Sequence, residues 1–135
     1  MMYLGLLNEA EKKVFLGMVH HLAFADGVYN ETEKVAIDCY CQEMQCVFDE
    51  KTMMKPMDEL IQYINRESSM QVKKIFIFEL IGLAMIDDHY DDTEKKIIEE
   101  MIRIFGIGEE FETNCETVMQ DYISLQIRLN QLVLD

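Results

Sequence analysis

The sequence predicts an all-α protein, a compact bundle of about six to seven helices built from two related helical hairpins. Three observations lead to this prediction. Helix-start signals recur along the 135 residues, apolar residues recur at helical spacing, and no alternating run is bounded by hairpin turn signals. Glycine is sparse and proline occurs once, so few residues would interrupt the helices. We expect one domain over residues 1–135.

The predicted helices begin where an acceptor side chain is followed three residues later by a glutamate or glutamine, which is the spacing of a capping box. This spacing occurs at five pairs: Asn8–Glu11, Asn30–Glu33, Ser68–Gln71, Asp91–Glu94 and Thr113–Glu116. It predicts helices over residues 9–25, 31–46, 69–86, 92–105 and 114–134. Pro56 is tolerated in a first helical turn and predicts a shorter helix after it.

Apolar stripes support these helices. The first helix carries one at Val14, Met18, Leu22 and Ala25. The last helix carries a second one, made of Val118, Tyr122, Leu125, Leu129 and Leu132. The helix from Ser69 is apolar nearly all round, so we expect it at the centre of the bundle with neighbours on every side.

Two stretches of the chain repeat each other. AFADGVYNETEK (residues 23–34) and AMIDDHYDDTEK (residues 84–95) lie 61 positions apart, and KKVFLGMVHHLAFADG aligns with KKIFIFELIGLAMIDD at the same distance without a gap. Each half, 9–46 and 69–107, is therefore predicted to be a helix, an acidic turn and a second helix. Duplicated hairpins bury both apolar faces when they pack about a pseudo-two-fold axis, and we expect that arrangement.

The repeated turns place acidic residues at matched positions. Asp26 and Asp87 lie at the C-terminal end of the first helix of each half, where the helix dipole disfavours a carboxylate by roughly 0.3–1 kcal/mol. Glu33 and Glu94 lie seven positions further on, in the first turn of the next helix. A pseudo-two-fold axis would bring the four carboxylates together, and a hard divalent cation would relieve their repulsion. We predict a metal site there, for calcium, magnesium, manganese or zinc.

A purely structural interpretation of the same turns stays open. The glutamates complete capping boxes with their N-cap residues, and the aspartates could cap the next helix. Repetition of an aspartate at the end of a helix favours the metal interpretation, because capping does not require it there. Four neighbouring side chains are predicted as secondary ligands: Asp88, His89, Asp91 and Asn30. DDHYDD is not an EF-hand loop, because Asp92 and Ile98 replace the glycine and glutamate that such a loop requires.

Composition limits the function. With 26 acidic and 12 basic side chains the net charge is −14, which repels nucleic acid and anionic lipid and attracts cations or basic partners. The most apolar window, Val72 to Ile86, is shorter than the roughly 20 residues of a membrane span. The N-terminal residues lack the pattern of a signal peptide, so we expect a cytoplasmic protein without membrane insertion. Cys39, Cys41 and Cys46 are expected to be reduced core thiols.

The stretch LAFADGVYNETEK, with its Ala-Asp-Gly and a glutamate seven positions after the aspartate, resembles the TerB-like domain of tellurite resistance. The resemblance covers roughly residues 11–107. It implies an all-helical fold of two related halves in a bacterial cytoplasmic protein, linked to tellurite and stress resistance. It also implies that the four matched acids chelate metal. In the second half Asp88 replaces Gly27 and Ile86 replaces Ala25, which predicts a differently shaped second turn.

We therefore predict a non-enzymatic, divalent-metal-binding helical module in bacterial tellurite or stress resistance, whose ordered surface is recognised by a protein partner. No Ser-His-Asp elbow, phosphate-binding loop or dinucleotide fingerprint suggests an enzyme. The alternative is a structural protein–protein interaction domain without metal. Its acidic face would bind a basic partner, or the stripe from Val118 to Leu132 would form a homodimer.

Overall fold

The computed structural model describes residues 3–23, 31–46, 50–53, 55–86 and 90–135, and for a few of these, including residues 31–34, it describes the backbone alone. Within those ranges the chain forms seven α-helices and one short 3-10 turn, and it contains no strand. The predicted all-α class and helix number are confirmed.

The elements follow one another with short connections. In chain order they are the 3-10 turn Leu4–Leu6, α1 (Glu9–Ala23), α2 (Glu31–Met44), α3 (Glu50–Met53), α4 (Met57–Glu67), α5 (Met70–Ile86), α6 (Asp92–Phe105) and α7 (Glu110–Leu134). α4 is the helix predicted after Pro56. The 3-10 turn and the four-residue α3 carry no capping or periodicity signal, and the sequence did not predict them.

Two predicted N-cap residues, Ser68 and Thr113, are wrong. Ser68 ends α4, because its backbone N–H donates to the Ile64 carbonyl, and Ser69 caps α5 by accepting from the Val72 N–H at 3.2 Å. α7 begins at Glu110 and not near Thr113. A backbone bond from Phe111 N to Gly108 O, at 3.0 Å, starts this helix without any side-chain cap.

The second helix of each repeat ends in the same way. Gln45 after α2 and Gly106 after α6 have φ angles of 53° and 71°, and the two residues lie 61 positions apart. The Gly106 N–H donates to Arg103 O at 3.2 Å, and the next N–H donates to Ile102 O at 3.0 Å. Gln45 and its successor make the corresponding two bonds at 3.2 and 3.0 Å. Both ends are therefore Schellman motifs, one with and one without the usual glycine.

The chain divides into two compact units, Met1–Glu79 and Leu80–Asp135. In the first unit α1 packs against α2, α3 and α4. Phe15 of α1 is fully buried and meets Tyr40 edge-to-face at 5.6 Å and Phe76 at 5.5 Å, measured between ring centroids. The described members of the predicted α1 stripe, Val14, Met18 and Leu22, are all buried.

α5 is buried on every side over its central turns, as its composition predicted. Ile75, Phe76 and Ile77 are consecutive and each is at most 7% exposed. The same stretch buries Glu79, whose Oε1 accepts a hydrogen bond from the Tyr3 backbone N–H at 3.0 Å.

The second unit has its own apolar core. It is formed by the end of α5, one face of α6 and the first half of α7. Its buried apolar residues are Leu80, Ile81, Ala84, Ile98, Met101, Ile102, Phe105, Cys115 and Met119. In the part of the chain that the structure describes, no helix combines the length and apolar character that a membrane crossing requires.

Candidate functional site

Most of the predicted ligands lie outside the described residues. These are Asp26, Asn30, Asp87, Asp88 and His89. Glu33 lies in the first turn of α2, where the backbone alone is described. In the second repeat the side chains of Asp91 and Glu94 are described.

Asp91 caps α6. Its backbone is extended, with φ −83° and ψ 177°, and its carboxylate accepts from the Glu94 backbone N–H at 2.9 Å. The Lys95 N–H donates to the Asp91 carbonyl at 3.0 Å. These bonds satisfy donors at the start of the helix, and the negative side chain complements the positive end of the helix dipole. The capping predicted for Asp91 is confirmed.

Glu94 is largely buried. It lies in the first turn of α6 with 9% of its surface exposed, while Asp91 and Asp92 before it are exposed. Burying a carboxylate is costly unless it meets hydrogen-bond donors or a cation. Burial therefore distinguishes Glu94 from the solvated acids of the same turn.

The first unit contains another buried carboxylate, Glu11. Asn8 and Glu11 form a reciprocal capping box at the start of α1: Glu11 N donates to Asn8 Oδ1 at 2.8 Å, and Asn8 N donates to Glu11 Oε1 at 2.9 Å. The second oxygen, Oε2, accepts from the Ser68 hydroxyl at 2.7 Å. Glu11 is 6% exposed, and these three bonds account for its burial.

Tyr90 joins the second acidic turn to α7. Its hydroxyl donates to Glu112 Oε1 at 2.9 Å, and the Lys95 ammonium lies 5.1 Å from its ring centroid. This role of Tyr90 was not predicted from the sequence. The signal available was the tyrosine shared by the two repeats, Tyr29 and Tyr90, which an acidic turn does not need for charge or for capping.

A cleft of about 450 Å³ lies beside Tyr90 within the second unit. It is lined by Met85, Tyr90, Lys95, Glu116, Thr117, Gln120 and Asp121. Burial raises the pKa of the Tyr90 hydroxyl, and its hydrogen bond to Glu112 raises that pKa further. Burial likewise raises the pKa of the Glu112 carboxyl, and the nearby Glu99 and Glu116 act in the same direction. The lining of the cleft carries two carboxylates, Glu116 and Asp121, and one ammonium group, Lys95.

Within the described ranges, no group of three or more His, Cys, Asp or Glu side chains converges in a way that could hold a metal ion. Five of the eight predicted ligands, Asp26, Asn30, Asp87, Asp88 and His89, lie outside those ranges. The chemistry of the set itself suits a hard cation, since carboxylate and amide oxygens dominate it.

The cysteines differ from the predicted core thiols. Cys39 is exposed, Cys41 and Cys46 are half-buried, and none of the four described cysteines is in a disulfide. Only Cys115 is buried, which raises its pKa to about 11. Burial also raises the pKa of Cys41 and of Cys46. The prediction failed because Cys39 lies on an exposed face of α2, and because Cys46 lies beyond the end of this helix at Met44, whereas the sequence predicted a helix to residue 46.

His20 and His21 are neighbours in α1, with ring centroids 6.1 Å apart. Both are half-buried, and burial lowers the pKa of His20. The His21 Nε2 donates to the Lys55 carbonyl oxygen at 2.6 Å, which ties α1 to the segment before α4.

No protein-family model, curated protein or solved structure matches this sequence. The fold of the described residues defines the chain as an all-α protein.

Proposed function

We propose that the protein is a non-enzymatic helical module that binds a divalent cation at its acidic turns and acts in bacterial tellurite or stress resistance, as its resemblance to TerB-like domains implies. The proposed ligands are Asp26 and Glu33 in the first repeat and Asp87 and Glu94 in the second. The supporting observation is the burial of Glu94, a carboxylate that follows an acidic turn and is only 9% exposed.

The described residues would prepare the second turn for a cation. Asp91 caps α6 and thereby fixes the backbone that carries Glu94. Tyr90 binds Glu112 and holds the residue directly before this N-cap against α7. A cation would relieve the repulsion among the acids of this turn at neutral pH.

Binding would act on stability and on the surface of the protein. A cation that binds only the folded state stabilises it by about 2.7 kcal/mol at a hundredfold excess over its dissociation constant. The ordered acidic turns would then present one defined surface to a protein partner in the cytoplasm. The bound ion would be structural, and no reaction is proposed for it.

Thermal melts test this proposal. Calcium, magnesium, manganese or zinc should raise the melting temperature of the EDTA-treated protein at low salt. Glu94→Gln and Asp87→Asn should abolish that rise. Asp92→Asn is the matched control, because Asp92 is an exposed acid of the same turn that is not a proposed ligand. Absence of a shift with all four ions, or an equal loss in the control, would contradict the proposal.

A second candidate is a protein–protein interaction module without metal. It is favoured by the second half of α7, where Leu125, Leu129 and Leu132 are exposed. Asn substitution at Asp26 and Asp87 separates the candidates. Without a metal, relief of repulsion should leave the melting temperature unchanged or raise it; with a metal bound, the same variants should lower it.

A further inference from the structure

α7 carries apolar side chains at the spacing of a coiled coil. The positions alternate four and three residues apart for three heptads, through Phe111, Cys115, Val118, Tyr122, Leu125, Leu129 and Leu132. We name these residues the α7 seam. This spacing is the a/d pattern of helices that pack against each other along their length. α7 has 25 residues and is about 37 Å long.

The chain itself covers only the first part of the α7 seam. Cys115 is 4% exposed, but Val118, Leu125 and Leu129 are 56%, 51% and 49% exposed and Leu132 is 81% exposed. From residue 124 to residue 135 every residue is exposed. A helical segment of about 12 residues is marginal in water by itself, so a partner along the seam would stabilise this end of α7.

We propose that a second copy of this chain covers the α7 seam, as an antiparallel pair of α7 helices. Local charge favours this occupant. Residues 117–135 contain two acids, Asp121 and Asp135, and one base, Arg128, so they carry −1 of the net charge of −14. A basic partner would find little attraction there, whereas a second copy meets little local repulsion.

The acids at the other end of α7 determine the orientation. Glu110, Glu112 and Glu116 all lie in its first two turns. A parallel pair would bring both sets of three carboxylates to the same end, whereas an antiparallel pair separates them by most of the helix length. The antiparallel orientation is therefore the one with less repulsion.

Two charged residues determine the register. Asp121 and Arg128 each precede a seam position by one residue, so both flank the same edge of the seam. When Tyr122 of each copy packs against Leu125 of the other, Asp121 of each copy lies opposite Arg128 of the other. The pairing is isologous, so the ion pair occurs twice. Sliding one helix by a heptad in either direction places a charged residue opposite its own equivalent and loses both ion pairs.

Sedimentation or light scattering across a wide concentration range tests the proposal on the full chain, under reducing conditions because Cys39 is exposed. A reversible dimer is expected. Leu125→Glu should weaken dimerisation roughly 100-fold, since it places a charge in the seam. Ile127→Glu is the matched control, because Ile127 is 52% exposed on the same helix but outside the seam. Circular dichroism should show both variants folded.

Charge reversal tests the register independently of the apolar substitutions. Asp121→Arg and Arg128→Asp should each weaken the dimer, and the double variant should restore it. A monomer at every concentration would overturn the proposal. Equal effects of Leu125→Glu and Ile127→Glu on the dimer dissociation constant would also overturn it. A dissociation constant that does not change with the charge reversals would overturn it as well. None of these outcomes depends on the proposed cation.

Discussion

Phe15 and Phe76 occupy equivalent positions of the two repeats and contact each other. Their rings meet edge-to-face, with centroids 5.5 Å apart and an interplanar angle of 86°, and both side chains are fully buried. Equivalent residues of a duplicated motif touch one another only near the axis that relates them. The pseudo-two-fold arrangement of the two hairpins stays a prediction.

Phe15→Leu and Phe76→Leu should each lower the free energy of unfolding, and their effects should not be additive. An edge-to-face pair contributes about 0.5–1.5 kcal/mol beyond its buried area, so a double-mutant cycle should give a coupling energy of that size. Urea denaturation of the four proteins measures it. A coupling energy of zero would show that the contact adds nothing specific.

Ser68→Ala should destabilise the protein by about 1.5 kcal/mol. The Ser68 hydroxyl donates to Glu11 Oε2 at 2.7 Å, and its loss leaves one oxygen of a buried carboxylate without that donor. Denaturant unfolding gives the value. Ser124→Ala, at an exposed position of α7, is the control and should be close to neutral. Equal effects of the two changes would contradict the role of this hydrogen bond.

Glycine should be favoured at both Schellman ends, so removing it at one end and introducing it at the other should have opposite effects on stability. Gly106→Ala should cost about 1 kcal/mol, because a side chain at φ 71° is strained although the surrounding space is open. Gln45→Gly should stabilise by a similar amount, since Gln45 has φ 53°. Gly108→Ala is the control, since Gly108 lacks a positive φ and its side-chain space is open. Thermal or urea unfolding would show the opposite signs; destabilisation by Gln45→Gly would refute the argument.

Glu112→Gln should stabilise the protein at pH 7, and the advantage should disappear as the pH falls. Burial raises the pKa of Glu112 above its ordinary value of 4.5, so the folded state binds this proton more tightly than the unfolded state does. The ionised carboxylate therefore costs stability above the raised pKa, and that cost is absent below 4.5. Urea unfolding of both proteins between pH 4 and 7 measures the difference, which a pH-independent result would contradict.

Tyr90→Phe provides a second test of the same pair. The Tyr90 hydroxyl stabilises the ionised form of Glu112 and opposes the effect of burial. Its removal should raise the Glu112 pKa further, which NMR titration of the carboxyl carbon would show. An unchanged pKa would mean that the hydrogen bond is not formed in solution.

Local signals predicted most of the helices. Asn8 and Asp91 are N-caps because their side chains act on N–H groups three residues away, and this can be recognised in sequence. Ser68 was wrongly predicted as the N-cap of α5, because either of two adjacent serines can cap a helix. Ser68 belongs to the end of α4, so Ser69 is the residue that caps α5. The start of α7 has no side-chain cap at Glu109, so no signal marked it.

The features of the candidate site could not be predicted from the sequence, because they depend on tertiary structure. The burial of Glu94 and the hydrogen bond from Tyr90 to Glu112 both depend on how helices pack, which no spacing rule in the sequence describes. The exposure of Cys39 depends on which face of α2 meets the core. By contrast, the seam of α7 was visible as a stripe from Val118 to Leu132, although its exposure was not.

Direct measurement of bound metal tests the central claim, that the acidic turns bind a divalent cation. The protein would be dialysed to equilibrium against calcium, magnesium, manganese and zinc in turn, and the metal would be quantified by mass spectrometry. We predict at least one stoichiometric ion for one of the four metals, and its loss in the Asp26→Asn, Asp87→Asn double variant. Metal content at the buffer level for all four, or binding that survives both substitutions, would contradict the claim.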